Sequence, residues 1–433
     1  MTAKMLRGRV LSFVRAPLGP DDSDSYRYFE DGFVAIDGGK IIAVGDVAAL
    51  PGPFDGEVID HRPHLILPGL IDPHIHFVQM QVVGSYAANL LEWLNNYTFI
   101  EEQRFADPAH GARIAGLFFD ELIRNGTTTA AAYCSVHAAS AEAFFAEAEK
   151  RNMLMIGGKC LMDRNCPEAL QDTPQTGYDA TKALIGKWYG KGRAHYAITP
   201  RFAITSTPEQ MEMVAALTKE HPDCYLQTHL SENIAEIELT TSLYPDAPDY
   251  AGVYEHYGLM GPKSLYGHCL HLSDREVGMM AETGAVAVPC PTSNMFLGSG
   301  HYDLARMQGA GLRTGVATDI GGGTSYSMLE TLDTFYKSQQ LSGNRLTPLM
   351  SFYMMTRGNA EALSLESKIG SIEPDADADL VVLNAAATPA MSVKMERVET
   401  LSEELFLLQT LGDDRAVVET YVAGVAMKAG LAG

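Results

Sequence analysis

Five side chains of the kind that bind metal ions stand at the ends of short apolar runs far apart in the chain: His74 and His76 in LPGLIDPHIHFVQ, then His229, His268 and Asp319. In an extended strand, side chains return to one face every second residue, so the two imidazoles of His-x-His project together from the strand's carboxyl end. The other three close similar runs, as Thr228-His229, Gly267-His268 and Thr318-Asp319. His-x-His alone is a common accident, whereas the full order at successive strand ends is far more specific. The five read as one metal site gathered from separate strands.

Strand candidates recur at Leu70 to Asp72, Thr127 to Tyr133, Met153 to Cys160, His195 to Arg201, Cys224 to His229, Ser264 to His268, Ala285 to Pro289 and Arg313 to Asp319, each followed by a helix-like segment. About eight βα units over roughly 290 residues suit a (β/α)8 TIM-type barrel, whose active site lies at the carboxyl ends of its strands. All five metal-site candidates fall there. Short β patterns flank this region: GFVAIDGGKIIAVGD carries a hairpin signal at Asp37-Gly38-Gly39, and DADLVVLN and AVVETYVAGVAMKAG repeat the style near the other end. The expected fold is α/β, a barrel over 67–370 with a small β-sandwich domain built from both chain ends, 1–66 and 371–433. No short-period repeat points to a solenoid or propeller.

Composition narrows the partners. A formal net charge of −22 would be repelled by a nucleic-acid backbone or an anionic membrane surface, which argues against both. MTAKMLRGRVLSF has no signal-peptide pattern, and no apolar run reaches the roughly 18 to 20 residues of a spanning helix, so the expected location is the cytoplasm. Six cysteines without a C-x-x-C pair read as buried, reduced thiols. Cys269 adjoins His268 but faces the other side of a regular strand, which argues against thiolate ligation.

Imidazoles and a carboxylate suit Zn²⁺ or Fe²⁺. His74, His76, His229 and Asp319 are the expected direct ligands of one ion per chain, with a water completing the shell. His268 is either a further ligand or, as favoured here, a group that orients the attacking oxygen. The fourth strand candidate ends in Thr199-Pro200-Arg201, with no lysine to bridge a second metal, and Lys159 on the preceding strand reads as a barrel-edge cation. In THLSEN, Glu232 follows His229 by three residues. It can serve as general acid and base beside the metal, or as a first-turn glutamate that complements a helix dipole. The remaining histidines read as structural or exposed.

The motif PGLIDPHIH, with TH at His229, GH at His268, TD at Asp319 and the terminal GSIEPDADADLVVLN, resembles the amidohydrolase superfamily. Gln79, LLEWLNNYTFIEEQRF at Leu90 to Phe105, PRF at Pro200 to Phe202, THLSEN, YPDAPDYAGVY and TDIGGGTSYSML look more closely like the guanine deaminases. The resemblance implies zinc at the four ligands above, and a substrate pocket lined by Gln79, Arg201, Phe202, His229 and Glu232. It implies catalysis by Glu232, Asp319 and His268 on a purine base, in a homodimer. A guanidinium at Arg201 can donate to a purine O6 and reject an amine there; an ion pair with an acidic residue is its other reading in a chain this acidic. Gln79 offers a donor and an acceptor to a ring edge, and Phe202 a packing face. Trp93 and Phe105 are candidates to close the pocket, or to serve in a core or interface. Pro73 stands where relatives often carry threonine, which removes one N–H beside the first ligand. The alternatives left open are a related aminohydrolase or chlorohydrolase acting on a triazine, pterin or modified purine, and a non-catalytic degenerate barrel.

Overall fold

The computed structural model describes residues 3–87 and 89–431. Strands from both ends of the chain form one mixed sheet: β1 (Lys4–Phe13), β2 (Tyr26–Asp37), β3 (Lys40–Asp46) and β4 (Glu57–Pro68) from the first stretch. The central strands are β5 (Leu70–His76), β6 (Thr127–Cys134), β7 (Leu154–Leu161), β8 (Ala194–Pro200), β9 (Tyr225–Leu230), β10 (Ser264–His268), β11 (Val286–Val288) and β12 (Arg313–Thr314). The last stretch adds β13 (Leu380–Leu383), β14 (Val417–Val422) and β15 (Val425–Ala426), giving a seven-stranded sheet in the order β15-β14-β13-β4-β1-β2-β3. The Asp37-Gly38-Gly39-Lys40 hairpin is present, with both glycines at positive φ as a tight primed turn requires.

β5 to β12 pair with their sequence neighbours in one eight-stranded sheet, and the registered pairs are all parallel. A parallel sheet is covered on both faces, so its strands read as continuous apolar runs; β6 and β7 are buried at every residue. Alternation divides them between two cores. Ala131, Ile156, Ala197 and Leu265 pack together inside the barrel, whereas Ala130, Ala132, Met155 and Ile198 face the helices. Those helices start where the sequence signals them. Asp107 accepts a hydrogen bond from the Ala109 N–H ahead of Pro108–Arg124, which buries Ile114, Phe118 and Leu122 against the sheet. Among the described residues no helix is long and apolar enough to cross a membrane.

The barrel closes between β5 and the segment after β12. The Asp319 N–H donates to the His74 carbonyl at 3.0 Å, and the His76 N–H donates to the Ile320 carbonyl at 2.6 Å. Two side chains reinforce this seam. Asn359 donates to the carbonyls of Ile71 and Val316 at 2.7 and 2.9 Å and accepts from the Val316 N–H at 2.9 Å. Asp72 accepts from the Thr318 hydroxyl and N–H. The first strand therefore runs on to His76, beyond the expected Asp72. The eighth ends earlier than expected, at Thr314, because residues 316–320 satisfy their backbone partly through these side chains and the β5 edge.

Asn359→Ala would orphan buried backbone groups at the seam. A loss of about 2 to 3 kcal/mol in stability is expected, read as a lower denaturation midpoint.

Candidate active site

At the carboxyl rim of the barrel, His74, His76 and His229 bring their ring nitrogens within 4.8 Å of one another. The Nε2 atoms of His76 and His229 are 3.2 Å apart, and Asp319 Oδ1 lies 3.3 Å from His74 Nε2 and 3.4 Å from His76 Nε2. These separations match the edge of a tetrahedron, about 3.3 Å for ligand bonds near 2.0 to 2.1 Å. The donor chemistry fits as well. His229 Nδ1 sits 2.7 Å from the Arg201 carbonyl, which can only accept; the proton is thereby fixed on Nδ1 and the Nε2 lone pair is left toward the cluster. His74 Nε2 is buried without a hydrogen-bond partner. Burial holds all three imidazoles below their ordinary pKa, in the neutral form that coordinates. Burial would raise the Asp319 carboxyl, but the adjoining His74 and His268 rings outweigh it and draw it down to about 2. The residues present thus suit one divalent metal.

The backbone makes room for this packing. A Cβ on Gly267 would lie 2.5 Å from the His74 ring, so only glycine lets β10 pass beneath that imidazole. His268 follows with φ 71° and Asp319 has φ 53°, conformations that non-glycine residues rarely adopt. The turn at His268 matters. Leu265 packs in the inner core and Gly267 meets His74, so in a regular strand His268 would face the helices. Instead its ring reaches the cluster, with Nε2 at 3.3 Å from Glu232 Oε2 and 3.9 Å from Asp319 Oδ2. Its Nδ1 contacts Asn294 Oδ1 at 2.8 Å. Burial disfavours a charged His268 ring, yet the Glu232 and Asp319 carboxylates outweigh it and raise its pKa. Glu232 itself is pushed up to about 7 by burial, and its Oε1 accepts from the Ser299 hydroxyl at 3.1 Å. Cys290 also lies near His74, His268 and Asp319, but burial raises its thiol well above the ordinary value and it donates to the Val288 carbonyl.

A cavity opens over the cluster, lined by His76, Gln79, Arg201, Phe202, His229, Glu232, His268 and Asp319, with Leu90, Trp93, Leu94 and Leu297 on its apolar side. Of the residues singled out from the sequence as metal, catalytic or substrate groups, His74 and Phe105 do not line it; His74 lies in the cluster itself. The ion-pair reading of Arg201 holds, and the residue also lines the cavity: its Nη1 donates to Glu102 Oε1 and Oε2 at 2.8 and 2.9 Å. Gln79 Nε2 donates to the same carboxylate at 3.0 Å. Burial works against the Arg201 charge, but Glu102 outweighs it and raises its pKa. Phe105 does not reach the cavity. It packs in the helix–barrel core against Phe77 and His110, because the chain turns away from the rim after Gln103. Lys159 is withdrawn as well, paired with Asp172 at 2.6 Å.

Glu102, Asp72, Asn294 and Ser299 were not singled out as functional from the sequence. Glu102 alone left a trace there, as one of two adjacent glutamates in the YTFIEEQRF block.

The sequence profile of the amidohydrolase family matches residues 65–427. A guanine deaminase of Escherichia coli (strain K12) is 42% identical over 428 residues, covering 98% of this chain and 97% of that protein. The structure of E. coli guanine deaminase superposes with a TM-score of 0.96, over 98% of this chain and 99% of that one. A crystal structure of guanine deaminase from C. acetobutylicum with guanine bound in the active site gives a TM-score of 0.88 at 31% identity, over 98% of this chain and 100% of that one.

Gly267→Ala is expected to push the His74 ring off the cluster. Metal retained per chain after dialysis against a chelator should fall well below that of the parent, with helix content unchanged by circular dichroism.

Proposed function

The chain belongs to the amidohydrolase family and, within it, to the guanine deaminases, and from that membership and the cavity's chemistry we propose that it hydrolyses guanine at C2, giving xanthine and ammonia. One observation carries the reading: donors suited to a carbonyl, at Arg201 and Gln79, share one cavity with the buried carboxyl of Glu232, beside the histidine and aspartate cluster. His74, His76, His229 and Asp319 would hold one divalent ion, zinc in this reading, with ferrous iron the other ion such a set accepts. When bound, the ion lowers the pKa of a water from about 15.7 toward neutrality and so makes a nucleophile available at pH 7.

The chain's own residues do the rest. Arg201 donates to O6, Gln79 reads the adjoining ring edge, and Phe202 packs on the purine face. Trp93 closes the apolar side, and its Nε1–H, buried without a hydrogen-bond partner, is left for a ring acceptor. Asp319 and His268 orient the incoming water oxygen toward C2. As the C2–O bond forms, Asp319 accepts a proton from the water and Glu232 delivers its proton to N3. Asp319 then passes its proton to the exocyclic amine, the C2–N bond breaks with its electron pair on nitrogen, and ammonia leaves. The hydroxyl proton returns to Glu232 as the C2 carbonyl forms. A carboxyl that burial raises to about 7 is poised for this exchange.

The same reading carries a cytoplasmic enzyme and a homodimer. The six unpaired cysteines suit a reducing compartment; the dimer rests on the family, and sedimentation measures it.

Metal-loaded protein should release ammonia from guanine and not from adenine, cytosine or a pterin; turnover of a pterin or an 8-substituted purine in preference to guanine would replace the substrate assignment. Glu232→Gln should retain its metal and lose about 10² to 10⁴ in kcat. Near-parental turnover in that variant would remove the proton-carrying role.

A further inference from the structure

Glu102 is fully buried, lies outside the metal cluster and the proton path, and holds two of the groups that face the substrate. A carboxylate only accepts hydrogen bonds, so the Gln79 side that meets Glu102 must be its NH₂. At the other end the Gly321 N–H donates to Gln79 Oε1 at 3.2 Å. The amide is therefore fixed from both sides and cannot flip. Arg201 is pinned in the same way. Its Nη1 spans both Glu102 oxygens, while the Phe99 ring lies 5.5 Å from Cζ, within cation–π range. The guanidinium held in this way still lines the cavity.

Phe99 and Glu102 stand three residues apart on the helix Phe99–Gln103, so one helical face grips Arg201. That helix continues directly from Leu90–Trp93 and Leu94–Thr98, which supply the cavity's apolar wall through Leu90, Trp93 and Leu94. The Ser135 hydroxyl, past the end of β6, donates to the Glu102 carbonyl at 2.9 Å and ties this element to the barrel. The wall that encloses the base and the carboxylate that aims its readers thus belong to one piece of chain.

We propose that Glu102 is a positioning residue for substrate selection: it locks the Arg201 guanidinium and the Gln79 amide into one unit aimed at a ring carbonyl, and so sets the preference for a 6-oxo purine over a 2-aminopurine lacking that oxygen. The proposal rests on the guanine reading of the cavity. Without the carboxylate, a buried guanidinium has no counter-charge and leaves its position, and the amide loses one of its two fixed ends.

The test compares guanine with 2-aminopurine, which carries the same exocyclic amine and no O6. Glu102→Gln keeps the shape and removes the charge; Glu102→Asp keeps the charge and shortens the reach. For Glu102→Gln, kcat/KM on guanine should fall about 10²-fold, mainly through KM, while 2-aminopurine changes less than about 3-fold. Glu102→Asp should recover part of the preference. In an Arg201→Met background, Glu102→Gln should add little further loss of discrimination, as expected for two residues acting through one contact. Equal losses on both bases, or an unchanged guanine preference with metal content and melting temperature retained, would overturn the role. If Glu102→Gln does not fold, Glu102→Asp and the double variant give the same ratio. Wild-type turnover alone decides the guanine reading; should it be absent, calorimetric titration of both bases into metal-loaded wild type and Glu102→Gln still reads the selectivity.

Discussion

The fold and the candidate site meet at one seam, the backbone bonds that join the first barrel strand to the segment after the eighth. His74 and His76 lie on β5, Asp319 on the other side of the seam, and the bonds that close the barrel run through those same residues. The carboxylate can approach both imidazoles within 3.4 Å only when the barrel is shut. Asp72, two residues before His74, accepts from Thr318, one residue before Asp319, and from the His74 N–H. Closure and ligand geometry are thus one condition. The chain ends are built around it too, since β4 ends at Pro68 and β5 begins at Leu70, with the Gly69 N–H donating to the Asp379 carbonyl ahead of β13.

Much of this was legible in the order of residues because it rests on local rules. Parallel strands covered on both faces must be apolar throughout, so AAAY after Thr127 or MIGGKCL after Leu154 could be recognised without knowing their neighbours. The clustering of His74, His76, His229 and Asp319 was legible because a barrel exposes functional groups only at strand ends. Other features were not, and each failed for a physical reason. His268 reaches the cluster through a φ of 71°, which strand alternation does not anticipate. The eighth strand stops at Thr314 because Asp72 and Asn359, remote in sequence, take over its hydrogen bonding. Phe105 read equally as a pocket or a core residue from its place in an aromatic block, and only the turn of the helix, which decides which of its aromatics face the rim, puts it in the core. Glu102 was one of two neighbouring glutamates; the partner that distinguishes it, Arg201, arrives from a different strand.

The balance of charge at the site also bears on what it accepts. Arg201 lines the cavity with Glu102 compensating it, and His268 lines it with Glu232 and Asp319 beside its ring. Burial holds the His74, His76 and His229 rings below their ordinary pKa and pushes the Glu232 carboxyl up to about 7. Apart from the ion that the cluster would hold, these side chains offer no uncompensated positive charge to a phosphate. Leu90, Trp93, Leu94 and Leu297 form the wall instead.

A flat, uncharged base bearing a few polar edges matches such a cavity better than a nucleotide does. A base loses little hydration on its faces and regains hydrogen bonds at its rim, where Arg201 and Gln79 are already oriented before it arrives. Orientation in advance is what makes the discrimination steep. A donor held by Glu102 cannot turn aside for a ligand lacking a carbonyl, so the wrong base leaves it buried and unpaired, at a cost of about 1 to 3 kcal/mol. The carboxylates in and behind the pocket each have a defined partner: Glu102 on Arg201 and Gln79, Glu232 on Ser299 and His268, and Asp319 among the imidazoles.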